Sequence, residues 1–254
     1  MQKLNNPEKA SPFFERAQDT MLAACLQGVM GEVYVDEQEK SASAIAVVGD
    51  FARLGGIPSK TLLREFVAMR GPAYLILVGS DQGWNRLIEE VFGNKARAFT
   101  RYALKKNEHS FNEAVLQSTV EALKEGYVLK PIDEHLYHQC LSQAWSKDLV
   151  SLFPSYELYA EHGLGFCALK DGSVVSGASS YYSYPGGIEI EVDTHPEQRR
   201  QGLAAACSAK LILTCLQKGL FPSWDAHTKQ SLQLALRLGY HFDHEYAAYE
   251  LLTM

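Results

Sequence analysis

No apolar run in this sequence approaches the roughly 18–20 residues that a bilayer-crossing helix needs, so no membrane partner is expected. Met1 to Pro7 lacks the apolar core of a secretory signal, and the expected location is the cytoplasm. Positive charge is in deficit: 24 Lys and Arg against 30 Asp and Glu give a net charge of −6. Non-specific nucleic-acid binding rests on Lys and Arg neutralising phosphates, so no nucleic-acid partner is expected, although a local basic pair such as Arg199-Arg200 is compatible with the balance. The five cysteines, Cys25, Cys140, Cys167, Cys207 and Cys215, are scattered and form no Cys-x-x-Cys. That removes support for a zinc ribbon or a thioredoxin-type site, and no metal site is expected. The cysteines read as small, reduced core residues. The first 126 residues hold no phosphate-loop glycine pattern, and Gly55-Gly56 reads as a flexible loop.

A chain of 254 residues suits one large or two modest domains. Residues 1–12 carry Pro7 and Pro12 without apolar periodicity and read as a lead-in. Phe14, Ala17, Met21, Ala24, Cys25 and Gly28 recur at three- and four-residue steps, which predicts a helix from Phe13 to Met30. Ala44–Val48 reads as a buried strand closed by a Gly49-Asp50 turn. Thr61–Arg70, Trp84–Phe92 and Phe111–Glu125 read as helices, and Tyr74–Val78 and Arg97–Leu104 as strands. Strands alternating with helices make residues 1–126 an α/β domain of unknown role. Tyr127–Ile132 starts afresh as a strand, so a boundary is expected near Gly126. No Gly/Ser- or Pro-rich linker marks it, and the two domains are expected to pack together. Asp133 is a plausible N-cap for a helix through Leu141. A second short helix begins at Phe153. Gly165–Leu169 and Ser173–Tyr182 should form a hairpin across Lys170-Asp171-Gly172, since Asp-Gly is a strong turn signal.

The most informative stretch runs from Gly187 to Ala204. Ile188, Ile190 and Val192 alternate with Glu189, Glu191 and Asp193, which places apolar and acidic sets on opposite faces of a strand. Pro196 ends the ladder, having no N–H to give. A helix is expected from about Arg200 to Leu216, rich in small residues at Ala204, Ala205, Ala206, Ser208 and Ala209. Between the two lies Arg199-Arg200-Gln201-Gly202-Leu203-Ala204. Two arginines and a glycine at a helix N-terminus suit an anion, because free N–H groups point outward and the helix dipole adds partial positive charge. Downstream, Phe221 to Ala226 reads as a strand, Ser231–Leu238 as a helix closed by Gly239, and Tyr246–Leu252 as a last strand.

Arg199, Gly202 and Ala204 fill the pattern Arg/Gln-x-x-Gly-x-Gly/Ala, and the Leu238-Gly239-Tyr240 ending follows in the expected order. In both respects the chain resembles the GNAT superfamily of N-acyltransferases. Met30–Tyr34, Gly49–Phe51, Gly165–Cys167, Ile188–Glu191 and Trp224–Ala226 are similar to the branch containing the zwittermicin A resistance acetyltransferase. The fold class that the resemblance implies is α/β: residues 127–254 form a GNAT domain with a central mixed sheet flanked by helices, and residues 1–126 pack against it.

The resemblance also implies acetyl-CoA as co-substrate. Its pyrophosphate would lie on the loop Arg199, Arg200, Gln201, Gly202, Leu203 and Ala204, and its pantetheine arm along the backbone of Val192 and Thr194. The reaction implied is direct attack by a small polar amine in a ternary complex. Glu189 and Glu191 are the candidates for the base, with Glu191 expected to matter more. The same acidic face reads equally as one open to solvent beside the cleft, and a bulge would change which residues share it. If the carboxylates line a pocket, like-charge repulsion should raise at least one pKa and favour a cationic amine. The family's thiolate-protonating tyrosine aligns with Ala235, and Tyr181, Tyr182, Tyr184 and Tyr246 are alternatives among which sequence does not choose. His195 and His227 read as loop residues. A second reading stays open, a non-catalytic acyl-CoA-binding or sensing protein with a degenerate site. A homodimer formed through the first domain is a third.

Overall fold

The computed structural model describes residues 1–14, 19–37 and 41–251. The chain forms two compact units, Met1–Arg101 with Glu245–Met254, and Tyr102–His244.

The first unit opens with β1 (Gln2–Lys3) and a 3-10 helix (Pro7–Phe13), followed by α1 (Thr20–Leu26), β2 (Glu32–Val35), β3 (Ser43–Val48), β4 (Phe51–Gly56), α2 (Lys60–Arg70), β5 (Leu75–Gly79), α3 (Gln82–Phe92) and the start of β6 (Ala96–Leu104). Strands β1 to β4 pair antiparallel in chain order, and α2 then carries the chain over to β5, parallel to β4. β3 is buried along its whole length, as an unbroken apolar run requires. Its Ile45 and Val47 join Leu62, Leu63 and Phe66 of α2 and Trp84 and Ile88 of α3 in one core. Ser59 and Asp81 cap these two helices, accepting from the Leu62 and Trp84 amides.

The second unit contains α4 (Glu113–Glu121), β7 (Val128–Pro131), α5 (Glu134–Leu141), α6 (Tyr156–His162), β8 (Gly165–Lys170), β9 (Ser173–Tyr184), β10 (Gly187–Thr194), α7 (Leu203–Gln217), β11 (Phe221–Ser223), β12 (Asp225–Ala226), α8 (Lys229–Arg237) and the start of β13 (Phe242–Leu251). Its five-stranded sheet runs β11-β10-β9-β8-β7. All pairs are antiparallel except β10–β11. Asp171 (φ +50) and Gly172 (φ +80) make the left-handed turn of the β8–β9 hairpin. Asp133 caps α5 as expected, accepting from the Leu136 amide at 2.9 Å. α7 is the spine of this unit: Leu203, Cys207, Leu211 and Ile212 bury against Ile188 and Ile190 of β10 and Phe166 and Ala168 of β8.

Both units use one topology, three antiparallel strands followed by a crossover helix to a parallel strand: β2-β3-β4-α2-β5 and β8-β9-β10-α7-β11. Both sheets are mixed, and the fold is α/β.

Several expectations need revision. The division expected at Gly126 falls inside the second unit, because Leu116 of α4 belongs to the same core as Cys207 and Leu211 of α7, with Val120 and Leu123 against it. Residues 245–251 of the last strand belong to the first unit, where Tyr249–Leu251 pair antiparallel with Leu75–Leu77 of β5; Leu252 lies outside the described residues. The helix expected over Phe13–Met30 covers only Thr20–Leu26 of the described residues, with Asp19 as its cap; residues 15–18 lie outside them. Gly55-Gly56 is not a flexible loop but the end of β4. A Cβ on Gly55 would lie 2.5 Å from the Phe13 carbonyl oxygen, and one on Gly56 2.2 Å from that of Ala42. Glycine is required there by close approach of the chain to itself.

Candidate active site

The site is built where β10 and β11 part. Gly187, Ile188 and Glu189 pair with Phe221, Pro222 and Ser223, while β10 runs on to Thr194 with a register only to β9. The cause lies in the next residues. Asp225 and Ala226 pair with Ala103 and Tyr102 at the end of β6, which draws the chain away from β10 directly after Ser223. Among the described residues, no strand pairs with that edge of β10 beyond Glu189. The Val192 amide faces that edge and donates to its neighbour's carboxylate, Glu191 Oε1, at 3.1 Å.

The acidic set sits as its alternation predicted, on the face away from α7. The ladder does contain a bulge, and it falls on β9: Glu189 pairs with Tyr182 and Ile190 with Ser180, so Tyr181 is the extra residue. β10 itself keeps its pleat, and Glu189 and Glu191 share a face. Glu189 is buried, 8% exposed, at the last paired position before the strands separate; Glu191 and Asp193 are half-buried. Tyr240 and Tyr184 lie at the same end. Tyr240 donates to the Pro222 carbonyl and Tyr184 to the Phe221 carbonyl. Burial pushes the Tyr240 phenol far above its ordinary range, with the charge of Glu189 among the lesser contributors.

The Asp193 carboxyl on the strand is raised, pushed up to about 6. Burial is the larger cause. The next is Asp148, which belongs to the 3-10 turn Lys147–Leu149 rather than to the strand; Arg199 pulls the other way. The folded pKa lies above the unfolded value, so the native state keeps a proton that the unfolded chain releases. Stability is therefore lost as pH rises between about 4 and 6 and is level above that window. Asp193→Asn removes the effect. The mutant should be more stable than the parent by about 1–3 kcal/mol at pH 7.5 and no different near pH 4. Thermal melts at the two pH values check this; an equal gap at both would contradict it.

After Thr194 the chain makes a short 3-10 turn (Pro196–Gln198) and reaches the loop. The expected helix start at Arg200 is not observed, because Arg200 (φ +64) and Gly202 (φ +82) are left-handed and helical geometry begins at Leu203. Arg199, Arg200 and Gly202 are exposed, Gln201 and Ala204 half-buried, and Leu203 buried in the core, so Leu203 offers only its backbone to the loop. The other described α-helices have Asp, Ser, Asn or Thr N-caps whose side chains accept from the first turn. Gly202 has no side chain to cap α7. The first N–H groups of α7 are thus left for an outside acceptor. A Cβ built on Gly202 would meet no atom within 4 Å. Open space over uncapped amides, beside two exposed guanidinium groups, fits a diphosphate.

Residues downstream limit the chemistry. Ala235 of α8 is fully buried in the core, so no side chain from that position reaches a reacting group. Tyr246 belongs to the first unit, packed near Ile76, Val78 and Ala248. Tyr181, Tyr182 and Tyr184 remain on β9, around the bulge. His195 lies edge-on to Trp145 at 5.5 Å in the turn after β10.

Sequence reasoning missed three residues that touch the loop or the strand. Lys124 donates to Gln201 Oε1 and Tyr127 to Gln198 Oε1, each at 2.7 Å, and the charge of Asp148 acts on Asp193. No sequence signal marks them, since they lie tens of residues from their partners.

The family model for GNAT acetyltransferases matches residues 11–249. A GCN5-related N-acetyltransferase-like protein from Streptococcus suis 89/1591 is 46% identical, with a TM-score of 0.92 over 97% of this chain and 98% of that one. The N-acetyltransferase YdfB of Bacillus subtilis, itself described as uncharacterized, is 25% identical over 88% of this chain and 86% of its own. A tandem GNAT protein from the clavulanic acid biosynthesis pathway shares the fold alone, at 13% identity and a TM-score of 0.58 over 96% of this chain and 91% of that one. Among the described residues no helix is long and apolar enough to cross a membrane. A parted β10–β11 pair leading into an uncapped, glycine-started helix, and a family match over nearly the whole chain, lead to one conclusion: this protein belongs to the GNAT acetyltransferase family, whose members take an acyl-CoA donor.

Proposed function

We propose that the protein transfers an acetyl group from acetyl-CoA to a small polar amine, by direct attack within a ternary complex. The observation that carries this reading is the open edge of β10 running from Glu189 to the uncapped start of α7. When bound, acetyl-CoA supplies a thioester carbonyl as the electrophile. The chain's own residues do the rest. Arg199, Arg200 and the amides of Gln201, Gly202, Leu203 and Ala204 hold the diphosphate. The backbone of Val192 and Thr194 offers a strand edge to the pantetheine arm, and Glu191 must release the Val192 amide to do so. Glu189, held at the parting point, takes the proton that the attacking amine sheds. Glu191 supports it by raising the negative charge of the pocket, which favours a cationic acceptor over a carboxylate-bearing one. The core position of Ala235 leaves the departing thiol without an acid from α8. A thiol with a pKa of about 8.5 leaves tolerably without one.

The sequence strings that resemble the zwittermicin A resistance branch make antibiotic-like amines the first acceptors to try. The buried Ala235 also supports the competing reading, a protein that binds acyl-CoA without turning it over. Free-thiol release from acetyl-CoA, with and without a panel of cationic amines, separates the two. Amine-dependent release is expected. Tight donor binding with no release on any amine would leave only the binding reading.

A further inference from the structure

If the donor binds as proposed above, the loop that takes its phosphates must be held in an unusual backbone conformation. Among the described residues only Asp171 and Arg200 are non-glycine residues at positive φ. Asp171 sits in a hairpin turn where a left-handed aspartate is ordinary. A long side chain at φ +64 is disfavoured and persists only where its surroundings over-determine it.

Those surroundings are two glutamines. Gln198 and Gln201 are half-buried while Arg199 and Arg200, between them, are exposed. Gln198 Oε1 accepts from the Tyr127 hydroxyl and Gln201 Oε1 from Lys124 Nζ, both at 2.7 Å. Both donors come from one short stretch after α4, outside the loop, and they grip it on either side of the arginines. The orientation of Gln201 is forced, because an ammonium only donates and must face the amide oxygen. Lys170 adds its ammonium over the Tyr127 ring, 5.8 Å from the centroid. In a chain of net charge −6, four cations, Lys124, Lys170, Arg199 and Arg200, thus gather around one loop.

We propose that Lys124 and Tyr127 form a clamp that presets the loop, with Lys124 acting as a donor-phosphate-recognising residue supplied from outside it and Tyr127 as a positioning residue. The lysine has three N–H donors. One is used on Gln201, and two are left for phosphate oxygens. The phosphate is either the diphosphate or the ribose 3′-phosphate of the donor, and the test separates them.

Calorimetric titration of the full chain with acetyl-CoA and with its 3′-dephospho analogue is the experiment, on the parent, Lys124→Met, Lys124→Arg and Tyr127→Phe. Lys124 is exposed, so its variants should fold. Lys124→Met should weaken acetyl-CoA about tenfold and flatten the salt dependence of binding, and Lys124→Arg should restore most of the loss. The KM for acetyl-CoA should rise with kcat unchanged, because the contact is made equally in ground and transition states. A loss confined to acetyl-CoA assigns Lys124 to the 3′-phosphate; an equal loss with both donors assigns it to the diphosphate. Tyr127→Phe should weaken both donors alike. Parental affinity of Lys124→Met for both donors overturns the proposal. Failure of the parent itself to bind acetyl-CoA overturns the donor reading beneath it, which is a different result.

Discussion

Gly202→Asp is expected to abolish acyl-CoA binding while the protein stays folded. Gly202 precedes the first turn of α7 at φ +82, exposed, and a Cβ there would meet no atom within 4 Å. The fold therefore has room for a side chain, and aspartate and asparagine are the residues that enter the left-handed region most readily. What changes is the ligand side. An aspartate places a carboxylate where the donor's phosphates belong and offers its own oxygens to the α7 amides. A loss of about a hundredfold or more in affinity is expected, from like-charge repulsion and competition for the same N–H groups. Gly202→Asn has nearly the same shape without the charge and should lose only about tenfold, so the difference between the two measures the electrostatic share. A folded Gly202→Asp protein that binds acetyl-CoA with parental affinity would mean the phosphates lie elsewhere.

Glu189→Gln is expected to lower kcat by about a hundredfold or more, the usual worth of a positioned base, with little change in donor affinity. Glu189 is the buried carboxyl at the last position where β10 pairs with β11, beside the stretch of that edge with no strand partner among the described residues. Glu191→Gln should have the smaller effect, because Glu191 is only half-buried and lies beyond the parting point rather than at it. The sequence alone pointed the other way, to Glu191. Alternation shows which residues share a face but not which of them stands where the sheet divides. Rates measured with saturating donor and the identified amine decide it. Parental kcat in both single mutants and in the double mutant would make the acidic face a solvated surface and leave the base unassigned.

The strand-loop-helix unit was legible because three independent local signals coincide. Ile188, Ile190 and Val192 alternate with acids, Pro196 stops the ladder, and Gly202 with Ala204 opens a helix of small residues. The Asp171-Gly172 turn was legible for the same reason, since its geometry depends on two adjacent residues. β4 was not legible. Phe51-Ala52-Arg53-Leu54-Gly55-Gly56 holds an arginine and ends in two glycines, and its strand character depends on partners far away. Arg53 pairs with Asp19 at 2.7 Å and lies over the Tyr246 ring at 5.0 Å, while the glycines accommodate the backbone of Phe13 and Ala42. Without β4 the second copy of the strand-helix-strand topology was invisible.

The parting of β10 and β11 could not be read either. It is set by Asp225 and Ala226 finding Tyr102 and Ala103 more than a hundred residues upstream, a choice no local pattern encodes. The clamp on the loop is of the same kind, with Lys124 and Tyr127 lying 77 and 71 residues from the glutamines they hold. The raised carboxyl was anticipated, but its cause was not: burial and Asp148 act on Asp193, rather than repulsion along the strand alone.

The repeated topology sharpens the central claim, because the first unit has a crossover like that of the second yet is closed where the second is open. β4 and β5 pair from Phe51 to Leu54 and the Ser80 amide extends the ladder to the Leu54 carbonyl. Ser59 caps α2, and the glycines before it face Phe13, Phe14 and Ala42 instead of open space. Only the second unit should take a donor. The most direct test is a calorimetric titration of the full chain with acetyl-CoA. One site per chain, lost in Gly202→Asp, is the expected result; two equivalent sites, or one that survives Gly202→Asp in a folded protein, would contradict the account.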